Sequence, residues 1–240
     1  MLEVRGLSVG YRDLLAVQDV SFTVNRGEVV SLIGSNGAGK STILRAIAGL
    51  LRPRRGEILL DNEPIHVVPA YDIVKKKIAM VPEGRQLFGR LSVWDNLLLG
   101  AYALDSRKET EESLETVLRL FPRLGERRGQ RAETLSGGEQ QQLAIARGLM
   151  SRPSLLMLDE AMAGLTPFEL KEMMSLIRKV RENGITLVIV EHVMEAVMEL
   201  SDRVIVITSG KKIVEGPPKE VVVNKEVIQA YLGERYHAGG

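Results

Sequence analysis

Nine consecutive residues, Gly34-Ser-Asn-Gly-Ala-Gly-Lys-Ser-Thr42, constrain this 240-residue chain more than any other feature. They fit the pattern G-x-x-x-x-G-K-[ST], with the apolar run Val29–Ile33 before them and an apolar-periodic stretch, Lys40–Leu50, after them. Such a loop has its use between a buried strand and a helix. Its glycines let the backbone wrap tightly enough to aim successive N–H groups at phosphate oxygens. The following helix offers a positive end, equivalent to about half a unit charge. Gly34, Ser35, Asn36, Gly37, Ala38, Gly39 and Thr42 then form a cradle. Lys40 brings a full charge to the β- and γ-phosphates, and Ser41 a hydroxyl to Mg²⁺. The pattern predicts nucleoside triphosphate binding, without saying which nucleotide or to what end.

The rest of the chain fits a strand–helix alternation. Leu155–Leu158, Thr186–Val190 and Val204–Ile207 read, with Val29–Ile33, as buried strands. Glu139–Met150, Pro167–Glu182 and Val193–Leu200 read as helices between them, implying a mostly parallel sheet covered on both faces. Leu2–Val9, Val17–Val24 and Glu57–Leu60 alternate apolar and polar residues and read as half-exposed antiparallel strands. From Ser92 to Arg131 no strand-like run occurs, and Ser92 with Asp95, and Ser106 with Glu109, carry helix-start spacing. The expected fold is α/β, a P-loop NTPase (RecA-like) core over residues 1–84 and 151–240. It carries an antiparallel β subdomain, and an α-helical subdomain is inserted over 85–150.

Composition removes other classes. Lys plus Arg number 32 against 31 Asp plus Glu, a net charge of +1, which argues against nucleic-acid binding by bulk charge and against a strongly basic membrane-surface protein. The basic clusters Lys75–Lys77 and Arg52–Arg55 lack an aromatic platform and read as solvated faces. With no cysteine, disulfides and thiolate chemistry are excluded, which suits the cytoplasm. No stretch approaches the roughly 18–20 apolar residues of a membrane span. Met1–Gly10 lacks the layout of a signal peptide, so a membrane role is expected to come through a partner.

Leu135-Ser-Gly-Gly-Glu-Gln140 separates the remaining readings. Ser136 and Glu139 have capping-box spacing and could simply start a helix. Two glycines in a first helical turn are unfavourable unless bare backbone is needed there. A helix start with exposed N–H groups and a serine hydroxyl is also an anion site.

With this element ahead of Leu155-Leu-Met-Leu-Asp-Glu160, the chain resembles the ATP-binding-cassette (ABC) ATPases over essentially its whole length. The resemblance implies that Ser136, Gly137, Gly138 and Glu139 bind the γ-phosphate held by a second subunit's loop. It implies that Asp159 holds Mg²⁺ and that Glu160 polarises the attacking water as general base. His192, after the strand Thr186–Val190, would contact the γ-phosphate and orient Glu160, and Tyr11 would stack on adenine. Read alone, each has a plainer alternative: a solvated strand end, a surface histidine, a core tyrosine. His66 and His237 have no such context and read as surface residues. Met173, Met174, Met194 and Met198 read as core filling.

The chain departs from the family pattern at several points. Glu139 replaces the commoner Gln. Glu83, in Val81-Pro-Glu-Gly-Arg85, stands where most members carry the Gln that contacts Mg²⁺ and senses the γ-phosphate. It could keep that role or pair with Arg85. The loop Ala161-Met-Ala-Gly-Leu-Thr166 lacks the usual Pro after the acids and the usual Asp at Thr166, although Thr166-Pro-Phe-Glu169 still makes a helix start.

The Pro-Glu-Gly-Arg variant, the Gly-Leu-Thr-Pro loop and Ala230-Tyr-Leu-Gly233 resemble the ATP-binding subunits of branched-chain amino-acid importers. This implies ATP hydrolysis with Mg²⁺, integral membrane permease subunits, a second ATPase subunit (identical or paralogous) and, indirectly, a solute-binding protein. It implies no nucleic acid, and a peripheral location on the cytoplasmic face of the membrane. Phe88–Leu91 would then either pack normally or line the groove that receives a permease helix. The alternative, a soluble ABC ATPase acting on ribosomes or DNA, usually has tandem cassettes or a long coiled coil, neither of which is seen here. A GTPase is disfavoured because no Asn-Lys-x-Asp motif occurs.

Overall fold

The computed structural model describes residues 1–229; Ala230–Gly233 and His237 lie outside the described residues. The chain begins with a long hairpin, β1 (Leu2–Tyr11) and β2 (Leu14–Val24), followed by β3 (Val29–Ile33) and helix α1 (Lys40–Ile47). Next come β4 (Arg55–Leu60), β5 (Glu63–Pro64), the short α2 (Ala70–Ile73) and β6 (Ile78–Val81). Helices α3 (Val93–Gly100), α4 (Arg107–Leu120), α5 (Pro122–Glu126) and α6 (Gly137–Leu149) then intervene before β7 (Leu155–Asp159). The chain continues through α7 (Pro167–Glu182), β8 (Thr186–Val190), α8 (Met194–Leu200), β9 (Arg203–Thr208), β10 (Lys211–Gly216) and α9 (Pro218–Val221).

The strands form two sheets. One is antiparallel, in the order β2-β1-β4-β5, and the other runs β10-β9-β3-β8-β7-β6. In the second sheet β9, β3, β8, β7 and β6 are mutually parallel, with β10 antiparallel at one edge. Every residue of β3, β7 and β8 is buried, as strands covered on both faces require. Alternate residues serve opposite layers. Val30, Leu32, Leu155, Met157, Val188 and Val190 join the core shared with α1 and the antiparallel sheet. Val29, Leu156, Leu158, Leu187 and Ile189 join the core formed with α6 and α7.

Helix starts follow the expected chemistry. Ser92, Ser136 and Thr166 each cap a helix in a complete capping box, with Asp95, Glu139 and Glu169 as the returning acids. Ser106 caps α4 by accepting from Glu109 N–H.

Some expectations need correction. Strand β6, although its Ile78–Val81 run is as long as Leu155–Leu158, and the more polar edge strand β10 lie outside the expected strands. Helix α1 stops at Ile47, because Gly49 adopts a left-handed φ of 71°. Ile58, Leu59 and Leu60 are all buried rather than alternating, since β5 and the half-buried His66 close over β4. His66 Nδ1 lies 3.2 Å from Ile58 N and accepts its proton. Met173 and Met174 fill the core as expected, whereas Met194 is 38% exposed and Met198 only half-buried. Among the described residues no helix is long and apolar enough to cross a membrane.

Candidate functional site

At the carboxyl end of β3 the chain enters the glycine-rich loop. Gly34 passes so close to β9 that a Cβ there would meet Ile207 O at 2.1 Å. Gly39, at φ 103°, caps α1 without any side-chain acceptor, so the first-turn N–H groups stay open to a ligand. Residues 36–42 line a cleft of about 390 Å³ with Tyr11, Glu83 and Glu160. Lys40 is buried and donates to the loop carbonyls of Gly34 at 2.8 Å and Ser35 at 3.0 Å. Burial pulls its pKa down, and the nearby carboxylates of Glu160, Asp159 and Glu83 oppose that shift. The cleft thus sets backbone donors and the Lys40 ammonium beside the carboxylates of Glu83 and Glu160.

Asp159 ends β7 on the α1 face of the sheet and is 1% exposed. Its Oδ1 accepts the Ser41 hydroxyl at 2.8 Å. Burial pushes this carboxyl above its ordinary range; the Ser41 hydrogen bond opposes the shift, and the charges of Glu160 and Glu83 add to it. A hydroxyl beside a buried carboxylate that has no ion-pair partner among the described residues suits a small hard ion. Among the described residues no group of three or more His, Asp or Glu side chains is arranged to hold a metal, so such an ion would depend on the nucleotide for further oxygens.

Glu160 follows in a left-handed conformation, φ 52°, with its N–H bonded to Val190 O at 2.9 Å. Its Oε2 lies 3.7 Å from Nδ1 of His192, which is half exposed. These two expected partners therefore come together from the ends of adjacent strands. Glu191, not singled out in the sequence, precedes His192 at the end of β8 and is 1% exposed.

Glu83 is exposed at the cleft and forms no ion pair with Arg85 among the described residues. Arg85 instead donates to Gln140 Oε1 at 2.8 Å, joining this turn to α6. The pairing considered for Glu83 is thus replaced by a longer-range bond. Tyr11, 40% exposed at the end of β1, is held by Arg45, which donates to its hydroxyl at 2.8 Å.

Ser136 Oγ accepts the Glu139 N–H at 3.2 Å, and Glu139 Oε2 accepts the Ser136 N–H at 3.0 Å. Glu139 also pairs with Arg127 at 3.1 Å, a partner that its charge, unlike the amide of Gln, can attract. Gly137 lies beside the Arg85 guanidinium, and a Cβ on Gly138 would meet Glu169 Oε1 at 2.6 Å. Among the described residues, none of Ser136–Glu139 lines the cleft at the glycine-rich loop. Elsewhere, an apolar groove of about 560 Å³ runs between Leu50, Ile73, Phe88, Leu99 and Tyr102, with Phe88 54% exposed.

Residues 17–163 match the family described as ABC transporter, and residues 211–237 match that described as branched-chain amino acid ATP-binding cassette transporter. The high-affinity branched-chain amino acid transport ATP-binding protein BraG of Pseudomonas aeruginosa is 42% identical over 233 residues, covering 97% of this chain and 100% of that protein. The ADP conformation of an ATP-binding cassette of an ABC transporter superposes with a TM-score of 0.89 at 26% identity, covering 97% of this chain and 98% of the other. A dimeric ATP-binding cassette bound to ADP and Pi, in a post-hydrolysis state, gives a TM-score of 0.81 at 26% identity over 91% of this chain and 99% of the other. The fold is that of an α/β P-loop NTPase.

Proposed function

The chain belongs to the ABC transporter ATPase family, which hydrolyses ATP to power transport, and on that premise we propose that it energises import of branched-chain amino acids. The observation that carries the mechanism is the separation of two half-sites. The glycine-rich loop, Asp159, Glu160 and His192 converge on one cleft, whereas the Ser136–Glu139 helix start is not part of it. Two such chains, facing each other, complete two ATP sites. Each takes its loop from one copy and its Ser136, Gly137 and Gly138 from the other, with the helices of residues 85–150 as the subdomain that carries them. The similarity to a dimeric cassette supports that arrangement.

In this reading Tyr11 stacks on adenine, residues 34–42 bind the phosphates, and Lys40 exchanges its loop carbonyls for phosphate oxygens. Ser41, Asp159 and Glu83 would hold Mg²⁺, which draws electron density from the phosphates. The oxygen of a water attacks the γ-phosphorus, the bond to the β–γ bridging oxygen breaks, and ADP departs. Glu160 takes the proton of the water, with His192 setting its orientation and the backbone N–H groups stabilising charge on the γ-phosphoryl oxygens. Glu83 senses the γ-phosphate, and Arg85 passes its position to α6 through Gln140.

The substrate class rests on the 42% identity to BraG and on the carboxyl-terminal match. Integral membrane permease subunits are the partners, docked at the groove beside Phe88, with a solute-binding protein acting through them. The chain then sits peripherally on the cytoplasmic face of the membrane. Isolating Glu160→Gln with ATP from native membranes tests this. Recovery with polytopic subunits and a solute-binding protein loaded with leucine, isoleucine or valine is expected. Recovery with ribosomes or DNA-maintenance proteins instead would overturn the transport reading.

A further inference from the structure

Strands β7 and β8 end in register, with Asp159 opposite Val190. The next residue of each, Glu160 and Glu191, leaves the sheet beside the other. Because side chains alternate across a sheet, Asp159 faces α1 and the glycine-rich loop, whereas Glu191 turns to the opposite face. There it is 1% exposed, and its Oε1 accepts the Met162 N–H at 2.7 Å. Its Oε2 accepts the His192 N–H at 3.2 Å. One carboxylate therefore spans the turn that follows Glu160 and the loop that presents His192.

Two further observations show that these loops need holding. Glu160 sits at φ 52°, a conformation unfavourable for a residue with a Cβ and retained only where its surroundings over-determine it. His192 and Glu160 are 3.7 Å apart, beyond hydrogen-bonding range, so no direct bond fixes their spacing. The Glu160 N–H bond to Val190 O anchors the start of the turn, and Glu191 anchors it two residues later, at Met162.

We propose that Glu191 is a positioning residue whose buried carboxylate, accepting backbone N–H groups from both loops, sets the geometry between Glu160 and His192. The inference rests on the roles proposed above for those two residues. A carboxylate suits the task because both of its oxygens accept. A glutamine at this position has one acceptor and would aim its amide donors at a backbone N–H. Burial raises the Glu191 pKa, and the N–H groups of Met162, His192 and Val193 oppose that shift.

The test uses the full chain, with phosphate release measured over a range of ATP concentrations for Glu191→Gln, His192→Ala and the double variant. A misplacement of about 1 Å costs on the order of a hundredfold in rate. Glu191→Gln should therefore lower kcat at least about tenfold with KM for ATP nearly unchanged. On the His192→Ala background it should add less than about twofold, because the geometry it sets is already without use. Glu191→Asp keeps both acceptors and should recover part of the kcat; it replaces Glu191→Gln in the cycle if that variant does not fold. Full multiplication of the two losses, or a rise in KM with kcat retained, would overturn the positioning role alone. A His192→Ala variant with the parent kcat would refute the reading of His192 and this proposal with it.

Discussion

Ser41, in the first turn of α1, donates its hydroxyl proton to Asp159 at the end of β7, 2.8 Å away. That bond joins the phosphate loop to the acidic strand end. Asp159 is buried, and burial first, then the charges of Glu160 and Glu83, raise its carboxyl above the ordinary range, while the Ser41 bond opposes that shift. A group whose folded pKa is raised contributes stability that is fully present below its unfolded pKa. That contribution is lost as pH rises through the folded value. Asp159→Asn keeps the acceptor for Ser41 and removes the charge. Without nucleotide at pH 7 it should melt higher than the parent, by on the order of a few degrees. Its stability should also vary less with pH from about 4 upward. With Mg²⁺ and ATP the order should reverse, since the parent gains more from the ion. Thermal unfolding with and without Mg²⁺ and ATP checks both halves.

Glu160→Gln is the direct test of the general base. The amide keeps the shape of the side chain but cannot take a proton from water. Hydrolysis should fall at least about a hundredfold while ATP binding persists and an ATP-bound dimer accumulates. Phosphate release and sedimentation with ATP measure the two effects. An unimpaired rate would remove Glu160 from the role.

Tyr11 is presented at the cleft by its hydroxyl bond from Arg45. Stacking of a base on an aromatic is worth about 1–3 kcal/mol. Tyr11→Ala should raise KM for ATP by roughly five- to a hundredfold with little change in kcat. Tyr11→Phe keeps the ring, loses only the Arg45 bond and should stay close to the parent. ATP and GTP should suffer alike, because stacking reads the purine face rather than its edges.

Gly138 faces Glu169, whose carboxyl is held below its ordinary range by the Thr166 N–H and hydroxyl. A methyl at position 138 would displace that carboxylate and disturb the box at the start of α7, where such caps are worth about 0.5–2 kcal/mol. Gly138→Ala should fold with reduced stability and fail to form the ATP-bound dimer in a Glu160→Gln background. Adding Glu169→Ala should relieve the crowding at position 138 without restoring the dimer. Restored dimerisation would mean that the bare backbone at 138 serves packing rather than the partner's nucleotide.

Much of the fold was legible in the sequence because its signals are local. Val29–Ile33, Thr186–Val190 and Pro167–Glu182 are expected with the boundaries observed, since short, mostly apolar runs and a Thr-Pro-x-Glu start leave little choice. The expected strands omit β6, since a four-residue apolar run just after the Lys75–Lys77 cluster does not by periodicity alone distinguish strand from helix; pairing with β7 makes it a strand. Arg85 was considered as a partner of its near neighbour Glu83, and its observed bond is to Gln140, 55 residues on.

Residue order alone marks the glycine-rich loop, the helix starts and the alternation that builds a buried parallel sheet. All three depend on residue type at short spacing. Three relationships appear only once the chain is folded: Glu139 pairs with Arg127, Glu160 and His192 lie 3.7 Å apart, and Glu191 accepts backbone N–H groups at Met162 and His192. The physical reason is the strand order. Strands β7 and β8 are neighbours that end in register, so residues about thirty positions apart leave the sheet together. The groups they bond there are backbone N–H donors, which every residue except proline carries and no residue letter marks.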